Sequence, residues 1–568
     1  MNATFKILAL LLVAVMMIGI FSGCQNATPS TTPAVTTSGE DSDGTTVSDK
    51  KDVKKLTIMV MNSAGGDFDL NNFSQTNVYT GYMALLEKYG LEIEWQIIEE
   101  DQYNTALTTT LASGLEEMPD AMFLGGLDVN SKLSAVESGL FLPIQDVLEY
   151  SDGTAKKFYD EHPLYFGKNN YKGKTYWFGE YSVITMNGEP TALGMGAPTG
   201  MNLREDWLRA LGMLDDIPNT IDEIESYILA CQAADLNQTG VVDEYHVMYG
   251  DSISRSDGVK NYYGVPSGHF AVNLQTKQIE TPWENANVKE YLKKLVDWIN
   301  KGVISQDMIG ATSASTWRKN NKTASYSSYY CDNWSFVGCP VPDGAEKCII
   351  IGTFPDKSVH PNAYIGHDSV PQLDVRCFAF ASDCDPEAAG RLMDMLISDE
   401  YNQLLYWGTE GDSFAFNSAG EKVHFEGSHL HTAPGSQPTS CTGRPLLSFG
   451  VFPEATNSVS IEQDIAECAE TELMEYGYRE GMKWDVVYPN QPAAFLAVPT
   501  QEESETLVEL ETDYTTIADE IYVQILMGQI DIDTEWETKV MEPLKAAGLE
   551  QIKAIYQARL DRYFSAAG

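Results

Sequence analysis

Hydrophobic residues between positions 54 and 124 repeat first with the period of a strand and then with that of a helix. The segments predicted in this way are a strand at 56–60, a helix at 77–89, a strand at 91–97, a helix at 102–113 and a strand at 121–124. Strands that alternate with helices require crossover connections, which predicts a parallel sheet. Ligands of such sheets bind beyond the carboxyl ends of the strands, so the turns after Val60, Ile98 and Leu124 are expected near a cleft.

Start signals mark two further helices. Thr220 and Glu223 have the spacing of a capping box, which satisfies two unpaired backbone N–H groups at a helix start. Pro386 and Glu387 mark the other start. Helical spacing also predicts a helix over 288–299 and a closing helix that carries Ile552, Ile555, Tyr556, Leu560 and Tyr563.

Oxygen-bearing side chains follow the helix that begins after Thr220. With the carbonyl of one residue, the candidate ligands are Asp235, Asn237, Thr239, the Val241 carbonyl, Asp243 and Glu244, arranged around Gly240. Calcium takes about six to eight oxygen ligands, so this spacing predicts a calcium site. The alternative is an ordinary turn, because Asp, Asn, Thr and Gly are favoured there for their own backbone hydrogen bonds.

A regular EF-hand is excluded at this loop. His246 stands at the last loop position, where the EF-hand requires a bidentate Glu, and the residues after it have an extended pattern. No second helix is therefore predicted to open and close with calcium. Any calcium bound here is expected to be structural.

The length of the chain and its net charge limit the classes of function that are possible. At 568 residues the chain exceeds the usual size of one hydrophobic core, which predicts at least two lobes. A formal net charge of -45 argues against nucleic acid or an anionic membrane surface as partner, and favours a neutral over a polyanionic ligand. The chain has no GxxxxGK[ST], HExxH or GxSxG motif, so the local signatures of nucleotide, zinc-protease and serine-hydrolase chemistry are missing.

The N-terminus has the pattern of an export signal. Lys6 precedes an apolar run at 7–20, which is short for a membrane span. Residues 25–52 are rich in Thr, Ser, Pro, Gly and Asp and are predicted to be disordered. The eight cysteines after Cys24 contain no CxxC pair, and their pairing is left open.

Several motifs resemble the bacterial extracellular solute-binding lipoproteins of carbohydrate ABC importers, the family that includes the LipO-type and alginate-binding proteins. These motifs are REDWL at 204–208, DLNQTGVVDE at 235–244, LASG with PD at 111–120, YWGTEGDSF at 406–414 and the phrase LMGQIDIDTEWETKV from 526. The resemblance implies a periplasmic-binding-protein type II fold, in which two α/β lobes are joined by a hinge and the ligand cleft lies between them. It also implies that the oxygen-rich loop binds calcium, although Thr239 stands where the family usually has Asn or Asp.

The resemblance implies a division of the chain and a place in the cell. The expected segments are a lipoprotein signal peptide at 1–23, a disordered tether at 24–52, the first lobe at 53–190, the second lobe at 191–372, a return to the first lobe at 373–416, and the rest of the second lobe with the closing helices at 417–568. Ser22, Gly23 and Cys24 match a lipobox, so Cys24 is expected to carry a lipid that anchors a monomer outside the cell membrane; a plain secretory signal or an uncleaved anchor is the alternative. The expected protein partners are the permease subunits.

Aromatic and polar residues near the expected cleft are the candidate ligand contacts. Aromatic faces pack against sugar C–H surfaces, and amides and carboxylates bind hydroxyl groups. The candidates are Trp407, Glu410, Trp177, Trp334, Tyr329 and Asn333. Core packing is the alternative for the aromatic residues, and a helix C-terminal turn set by Gly408 and Gly411 is the alternative for the segment with Trp407 and Glu410.

The predicted function is capture of a carbohydrate, a neutral oligosaccharide in particular, by hinge closure and its delivery to an ABC permease. No catalytic residue is predicted. The alternatives left open are a surface polysaccharide hydrolase or lyase, a non-transport adhesin or sensor, and a binding protein that takes a peptide in place of a sugar.

Overall fold

A computed structural model describes residues 52–62, 74, 79–163, 167–180, 185–186, 189–190, 195–255, 257–329, 348–369, 372–401, 404, 408–411, 414–418, 420, 422–424, 479–481, 483–490 and 492–567. Lys51–Gly568 make up one compact unit. The predicted signal peptide, most of the predicted tether, and Cys24, Asn333, Trp334 and Trp407 lie outside the described residues. In the part of the chain that is described, no helix is long and apolar enough to cross a membrane.

The first α/β lobe begins with the predicted alternation of strands and helices. Its elements are β1 Lys54–Asn62, α1 Tyr79–Tyr89, β2 Leu91–Glu99, α2 Glu100–Ser113, β3 Ala121–Phe123, α3 Val129–Glu137, α4 Ile144–Leu148, α5 Thr154–Glu161, β4 Asn170–Tyr171, β5 Lys174–Thr175 and β6 Phe178–Glu180. All five elements predicted between residues 54 and 124 are present, with bounds that differ by one or two residues where both ends are described. The strand–helix alternation in the sequence therefore predicted this region correctly.

The second α/β lobe follows. Its elements are β7 Thr185–Met186, β8 Glu189–Pro190, β9 Met195–Arg204, α6 Glu205–Leu211, α7 Ile221–Ala234, β10 Tyr245–Val247, α8 Gly258–Tyr263, β11 Ala271–Asn273, β12 Gln278–Glu280, α9 Val288–Lys301, α10 Ser315–Lys319, β13 Thr323–Tyr329, β14 Ile350–Gly352 and β15 Gly366–Ser369. The predicted capping box of α7 is confirmed: the Glu223 N–H donates to Thr220 Oγ1 at 3.3 Å, and the Thr220 N–H donates to Glu223 Oε2 at 3.1 Å.

The remaining elements divide between the lobes. They are β16 Gln372–Phe380, α11 Pro386–Ile397, β17 Phe414–Phe416, β18 Lys422–His424, α12 Gln501–Leu526, a π-helical segment Trp536–Met541, α13 Glu542–Ala546 and α14 Leu549–Ala567, with short 3-10 turns at Leu115–Glu117, Pro282–Glu284, Gln306–Met308 and Pro492–Phe495. The predicted start at Pro386 and the closing helix are confirmed.

Two five-stranded sheets organise the lobes. The first has the order β2-β1-β3-β16-β6, in which β1 is parallel to β2 and β3 while β16 runs antiparallel to β3 and β6. The second has the order β10-β13-β9-β14, and β15 also pairs with β9. The chain leaves the first sheet after β6, enters the second at β9, and returns from β15 to β16. These two passages connect the lobes.

Each sheet has its own hydrophobic core. Segments 56–178 and 377–414 supply nearly all of the first core, and segments 201–351 and 507–552 supply the second. The amphipathic face of α9 shows how the second core forms, because its residues at helical spacing are all buried: Val288, Tyr291, Leu292, Leu295, Trp298 and Ile299. The exact lobe boundaries stay a prediction.

Candidate functional site

The carboxyl edge of the first sheet is polar and ordered. Asn62 ends β1 and is almost fully buried, and its Nδ2 donates to Oε1 of Glu99, which ends β2, at 3.0 Å. The Tyr103 hydroxyl of α2 donates to the carbonyl of Phe123 at 2.8 Å and lies 3.3 Å from that of Met59, so it ties the helix to this edge. Parallel sheets bind ligands at such edges. The sequence predicted the edge but not Asn62 or Glu99, although a polar residue directly after an apolar strand was a usable signal.

Tyr329 marks the matching edge of the second sheet. It is the last residue of β13, and its backbone pairs with Thr199 of β9. Because β10 and β13 are parallel, their carboxyl ends lie at the same edge. Asn333 and Trp334 follow this edge in the sequence but lie outside the described residues, so their role as ligand contacts stays a prediction.

Trp177 lies in the core of the first lobe. Its side chain is 0% exposed, and Lys132 Nζ is 5.9 Å from its ring centroid. A ring without an exposed face offers no surface for a sugar to stack on in this structure. Its position corresponds to the core-packing alternative, and we leave Trp177 out of the proposed site.

Glu410 is exposed and lies in a turn between α11 and β17. The Gly408 N–H donates to the Leu404 carbonyl at 3.0 Å, and the Gly411 N–H donates to the Phe414 carbonyl at 2.8 Å. This is the glycine-set turn that the sequence offered as an alternative. Glu410 remains accessible to a ligand, while Trp407 lies outside the described residues.

The oxygen-rich loop begins where α7 ends. Asp235 adopts a left-handed conformation with φ +49°, and its two carboxylate oxygens accept the Gly240 N–H at 3.1 and 3.2 Å. Gly240 has φ +74°, which favours glycine. Asp235 therefore closes the loop onto its own backbone.

Two other predicted ligands, Asn237 and Thr239, hydrogen-bond to the carboxylate of Asp243. Its Oδ1 accepts Asn237 Nδ2 at 2.6 Å and the Thr239 hydroxyl at 2.8 Å, and its Oδ2 lies 3.0 Å from Lys322 Nζ. The Thr239 hydroxyl also lies 3.2 Å from the Val241 carbonyl. Burial raises the pKa of Asp243, but these hydrogen bonds and the Lys322 charge outweigh burial and hold the pKa below its usual value.

Glu244 is the buried member of the loop. Its side chain is 0% exposed, and its two oxygens accept only the backbone N–H groups of Asn237 and Asp243, each at 3.3 Å. Among the described residues no basic group pairs with it. A buried carboxylate without a cation is costly, so this position favours a bound cation.

The loop suits calcium by its donor chemistry, because every predicted ligand offers oxygen. Its present geometry is that of a turn closed by internal hydrogen bonds, with the Asn237 amide nitrogen facing Asp243. Within the described ranges, no group of three or more His, Cys, Asp or Glu residues is arranged to hold a metal ion.

A buried Ser–His–Asp chain lies next to this loop. His246 Nδ1 is 2.8 Å from Ser325 Oγ, and His246 Nε2 is 3.3 Å from Asp257 Oδ1. Asp257 also accepts the Val259 N–H at 3.0 Å and the Tyr291 hydroxyl at 3.1 Å. Ser325 and His246 are fully buried, so a substrate has no access to them. We call these five residues the buried network, and its geometry is that of a structural network.

A second histidine, His269, is mostly buried, with its side chain 17% exposed, and gives a pH prediction. His269 Nδ1 has no hydrogen-bond partner among the described residues, and Nε2 is 3.6 Å from Asp519 Oδ1. Burial, with the nearby Lys260 charge, outweighs this carboxylate and lowers the pKa of His269 from 6.5 to about 4. The unfolded chain therefore binds a proton between these values that the folded chain does not, so stability is lost as the pH falls from about 6.5 to about 4.

We expect the free energy of unfolding to fall by about 3 kcal/mol more in the native protein than in His269→Gln over this range, since one pKa unit corresponds to about 1.4 kcal/mol. Urea denaturation at a series of pH values measures the difference. Equal pH slopes in the two proteins would show that His269 does not titrate as described.

The fold is that of the substrate-binding proteins of ABC transporters: two α/β lobes, each with its own sheet, joined by strands that pass between them. The fructooligosaccharide ABC transporter substrate-binding protein FusA of Streptococcus pneumoniae serotype 4 is 24% identical over 264 residues, which are 43% of this chain and 47% of FusA. This sequence match thus spans about half the length of that relative. No family model matches the chain.

Solved structures extend the likeness over most of the chain. FusA in complex with kestose superposes with a TM-score of 0.64 at 17% identity, covering 90% of this chain and 100% of FusA. The alginate-binding protein AlgQ2 without calcium ion gives a TM-score of 0.55 at 17% identity, covering 90% and 98%. A further FusA structure is that of an EF-hand mutant in complex with fructo-nystose. An EF-hand and a calcium ion are thus named for proteins of this fold.

Proposed function

We propose that this protein is the extracytoplasmic substrate-binding component of an ABC importer and that its ligand is a neutral oligosaccharide. The observation that supports it most is the two-lobe fold, in which each sheet presents a carboxyl edge next to the strands that pass between the lobes. The sequence relative FusA is named for fructooligosaccharides, which supports a carbohydrate ligand here. The strongly negative net charge supports a neutral over an acidic sugar.

Hinge closure is the proposed mechanism. A ligand that contacts both carboxyl edges binds the closed state more tightly than the open one and shifts the population towards it. The proposed ligand contacts are Glu99 at the first edge, Glu410 in its turn, and the predicted Tyr329, Asn333, Trp334 and Trp407. Asn62 is almost fully buried and positions Glu99 by its hydrogen bond. No bond is made or broken, and we assign no catalytic residue.

A lipid on Cys24 and a disordered tether are proposed to hold the binding domain at the outer face of the cell membrane, within reach of the permease subunits. The lipobox-like sequence and the composition of 25–52 support this arrangement. Lipidation is tested by growing cells with labelled palmitate and fractionating them. The native protein should carry the label in the membrane fraction, and Cys24→Ala should carry no label in any fraction.

Calcium is proposed as a structural ion of the loop at 235–244. The residues that would hold it are Asp235, Thr239, the Val241 carbonyl, Asp243 and Glu244, with Asn237 turned to present its oxygen. When bound, the ion neutralises Glu244 and Asp243 and fixes the loop behind α7. It takes no part in ligand capture.

The function is tested by thermal unfolding of the purified protein with a panel of oligosaccharides and peptides. A ligand at about one hundred times its dissociation constant adds about 2.7 kcal/mol to the free energy of unfolding. We expect one class of neutral sugar to raise the unfolding temperature and to be recovered intact. Stabilisation by peptides alone, or recovery of a cleaved sugar, would contradict the proposal and support a peptide-binding protein or an enzyme.

A further inference from the structure

A cavity of about 440 Å³ lies in the second lobe. It is enclosed by the start of α9, the β11–β12 hairpin, the loop before β15 and the segment at 484–488. Its polar wall includes Asn285, Asn287, Asn362, Lys357, Trp484 and Asp485. Small-molecule sites measure roughly 300–1,000 Å³, so the cavity is large enough for a small ligand.

Two asparagine side chains of this polar wall are held in place by hydrogen bonds to the backbone. Asn285 Nδ2 donates to the Gly264 carbonyl at 2.9 Å, its Oδ1 accepts the Asn287 N–H at 2.9 Å, and Asn287 Nδ2 donates to the Tyr263 carbonyl at 2.8 Å. Gly264 has φ +69°, and a Cβ there would lie 2.5 Å from the Asn362 carbonyl oxygen. Glycine therefore permits the loop that carries Asn362 to approach the wall.

Two tyrosines, Tyr364 and Tyr488, form a rigid floor of the cavity. Tyr364 and Tyr488 are nearly fully buried, and their ring centroids are 4.9 Å apart at an interplanar angle of 71°. The Tyr364 hydroxyl donates to the Val265 carbonyl at 3.0 Å, and the Tyr488 hydroxyl donates to Glu280 Oε2 at 2.5 Å. Because both hydroxyls already donate hydrogen bonds within the protein, this floor contributes shape to the cavity more than hydrogen bonds to a ligand.

The charges of the lining identify the ligand chemistry. Lys357 Nζ lies 4.3 Å from the Trp484 ring centroid, and Asp485 supplies one carboxylate, so the lining carries one positive and one negative charge. The lining also carries the amides of Gln275, Asn285, Asn287 and Asn362, and amides both donate and accept hydrogen bonds, as sugar hydroxyls do. An anion would meet Asp485, and a cation would meet Lys357. The lining suits a neutral, polyhydroxylated ligand with a C–H face for Trp484.

We propose that this cavity is a second saccharide site, distinct from the cleft between the lobes, which binds a short stretch of neutral glycan. Among the described residues, none of the first lobe lines the cavity, so binding there does not require the lobes to close. The site goes beyond the proposed transport function, because it can hold a glycan whether or not the cleft is filled.

The test is fluorine NMR of the full chain labelled with 5-fluorotryptophan at its ten tryptophans, with the Trp484 signal assigned from Trp484→Phe. Kestose, maltotriose and cellobiose are the neutral probes, and galacturonic acid is the acidic probe. We expect at least one neutral probe to shift the Trp484 signal saturably. No shift by any neutral probe, or a shift by galacturonic acid alone, overturns the proposal.

Two alanine variants locate the binding. Asn362→Ala is expected to raise the dissociation constant read at Trp484 about tenfold, while Asn219→Ala, an exposed asparagine of the same lobe outside the cavity, leaves it within about twofold. Equal effects of both variants overturn the proposal. Cleft binding is read separately at the signal of Trp407, a proposed cleft contact, assigned from Trp407→Phe. A shift at Trp407 with a silent Trp484 rejects the second site alone, and a shift at Trp484 with a silent Trp407 rejects the proposed cleft contact alone.

Discussion

Calcium at about one thousand times its dissociation constant is expected to raise the free energy of unfolding by about 4 kcal/mol, and Glu244→Gln is expected to abolish that gain. The reason is the burial of Glu244, whose carboxylate is 0% exposed and accepts only two backbone N–H groups at 3.3 Å. The ion supplies the positive charge that this carboxylate lacks. In the absence of calcium, the glutamine variant should be at least as stable as the native protein, because a neutral amide removes a buried charge.

Differential scanning calorimetry with calcium and with a chelator measures both effects. Glu537→Gln is the matched control, because Glu537 is an exposed residue of the second lobe far from the loop in sequence. It should keep the full calcium response. Calcium stabilisation that survives in Glu244→Gln, or a native protein that does not respond to calcium, would show that the loop is only a hydrogen-bonded turn.

Asp257→Ala is expected to lower the free energy of unfolding by at least about 3 kcal/mol, because it leaves several buried hydrogen-bond donors unsatisfied at about 1–3 kcal/mol each. Burial raises the pKa of Asp257, but the hydrogen bond and charge of His246 outweigh burial and hold the pKa below its usual value. Removal of the carboxylate leaves His246 Nε2, the Tyr291 hydroxyl and the Val259 N–H without their acceptor in a site that water does not reach.

Urea denaturation distinguishes this effect from a surface change. Asp257→Asn keeps an acceptor and should cost about 1–3 kcal/mol. Asp297→Ala removes an exposed ion pair with Lys301 and should cost less than about 1 kcal/mol. An Asp257→Ala loss as small as that of Asp297→Ala would mean that the buried network contributes little to the second lobe.

Local signals in the sequence predicted elements well. The capping box at Thr220 depends on two residues three positions apart, and the closing helix depends on apolar residues within a few turns, so both are determined by neighbours in the chain. The alternation of strands and helices up to residue 124 has the same local origin. This alternation correctly predicted that β1, β2 and β3 are parallel.

Contacts between distant residues were beyond the sequence pattern. Lys322 pairs with Asp243, and Ser325 contacts His246, each across about 80 positions, so neither the lysine at the oxygen-rich loop nor the buried network was predicted. Trp177 illustrates the same limit, because an aromatic residue near a predicted cleft has the same local pattern whether its ring is exposed or packed in a core. The cavity in the second lobe also escaped prediction, since its wall combines residues from 264 to 488.

The interleaving of the two lobes determines when the chain can fold on the ribosome. β16 lies between β3 and β6 in the first sheet, and Phe123 pairs with Phe378, about 255 residues later. At a synthesis rate of about 5–20 residues per second, the edge of β3 stays unpaired for roughly 10–50 s. The second core waits longer still, for residues up to Ile552. Neither lobe can finish during synthesis of the first half, so the nascent chain remains open long enough for a chaperone or an export channel to engage it before it folds.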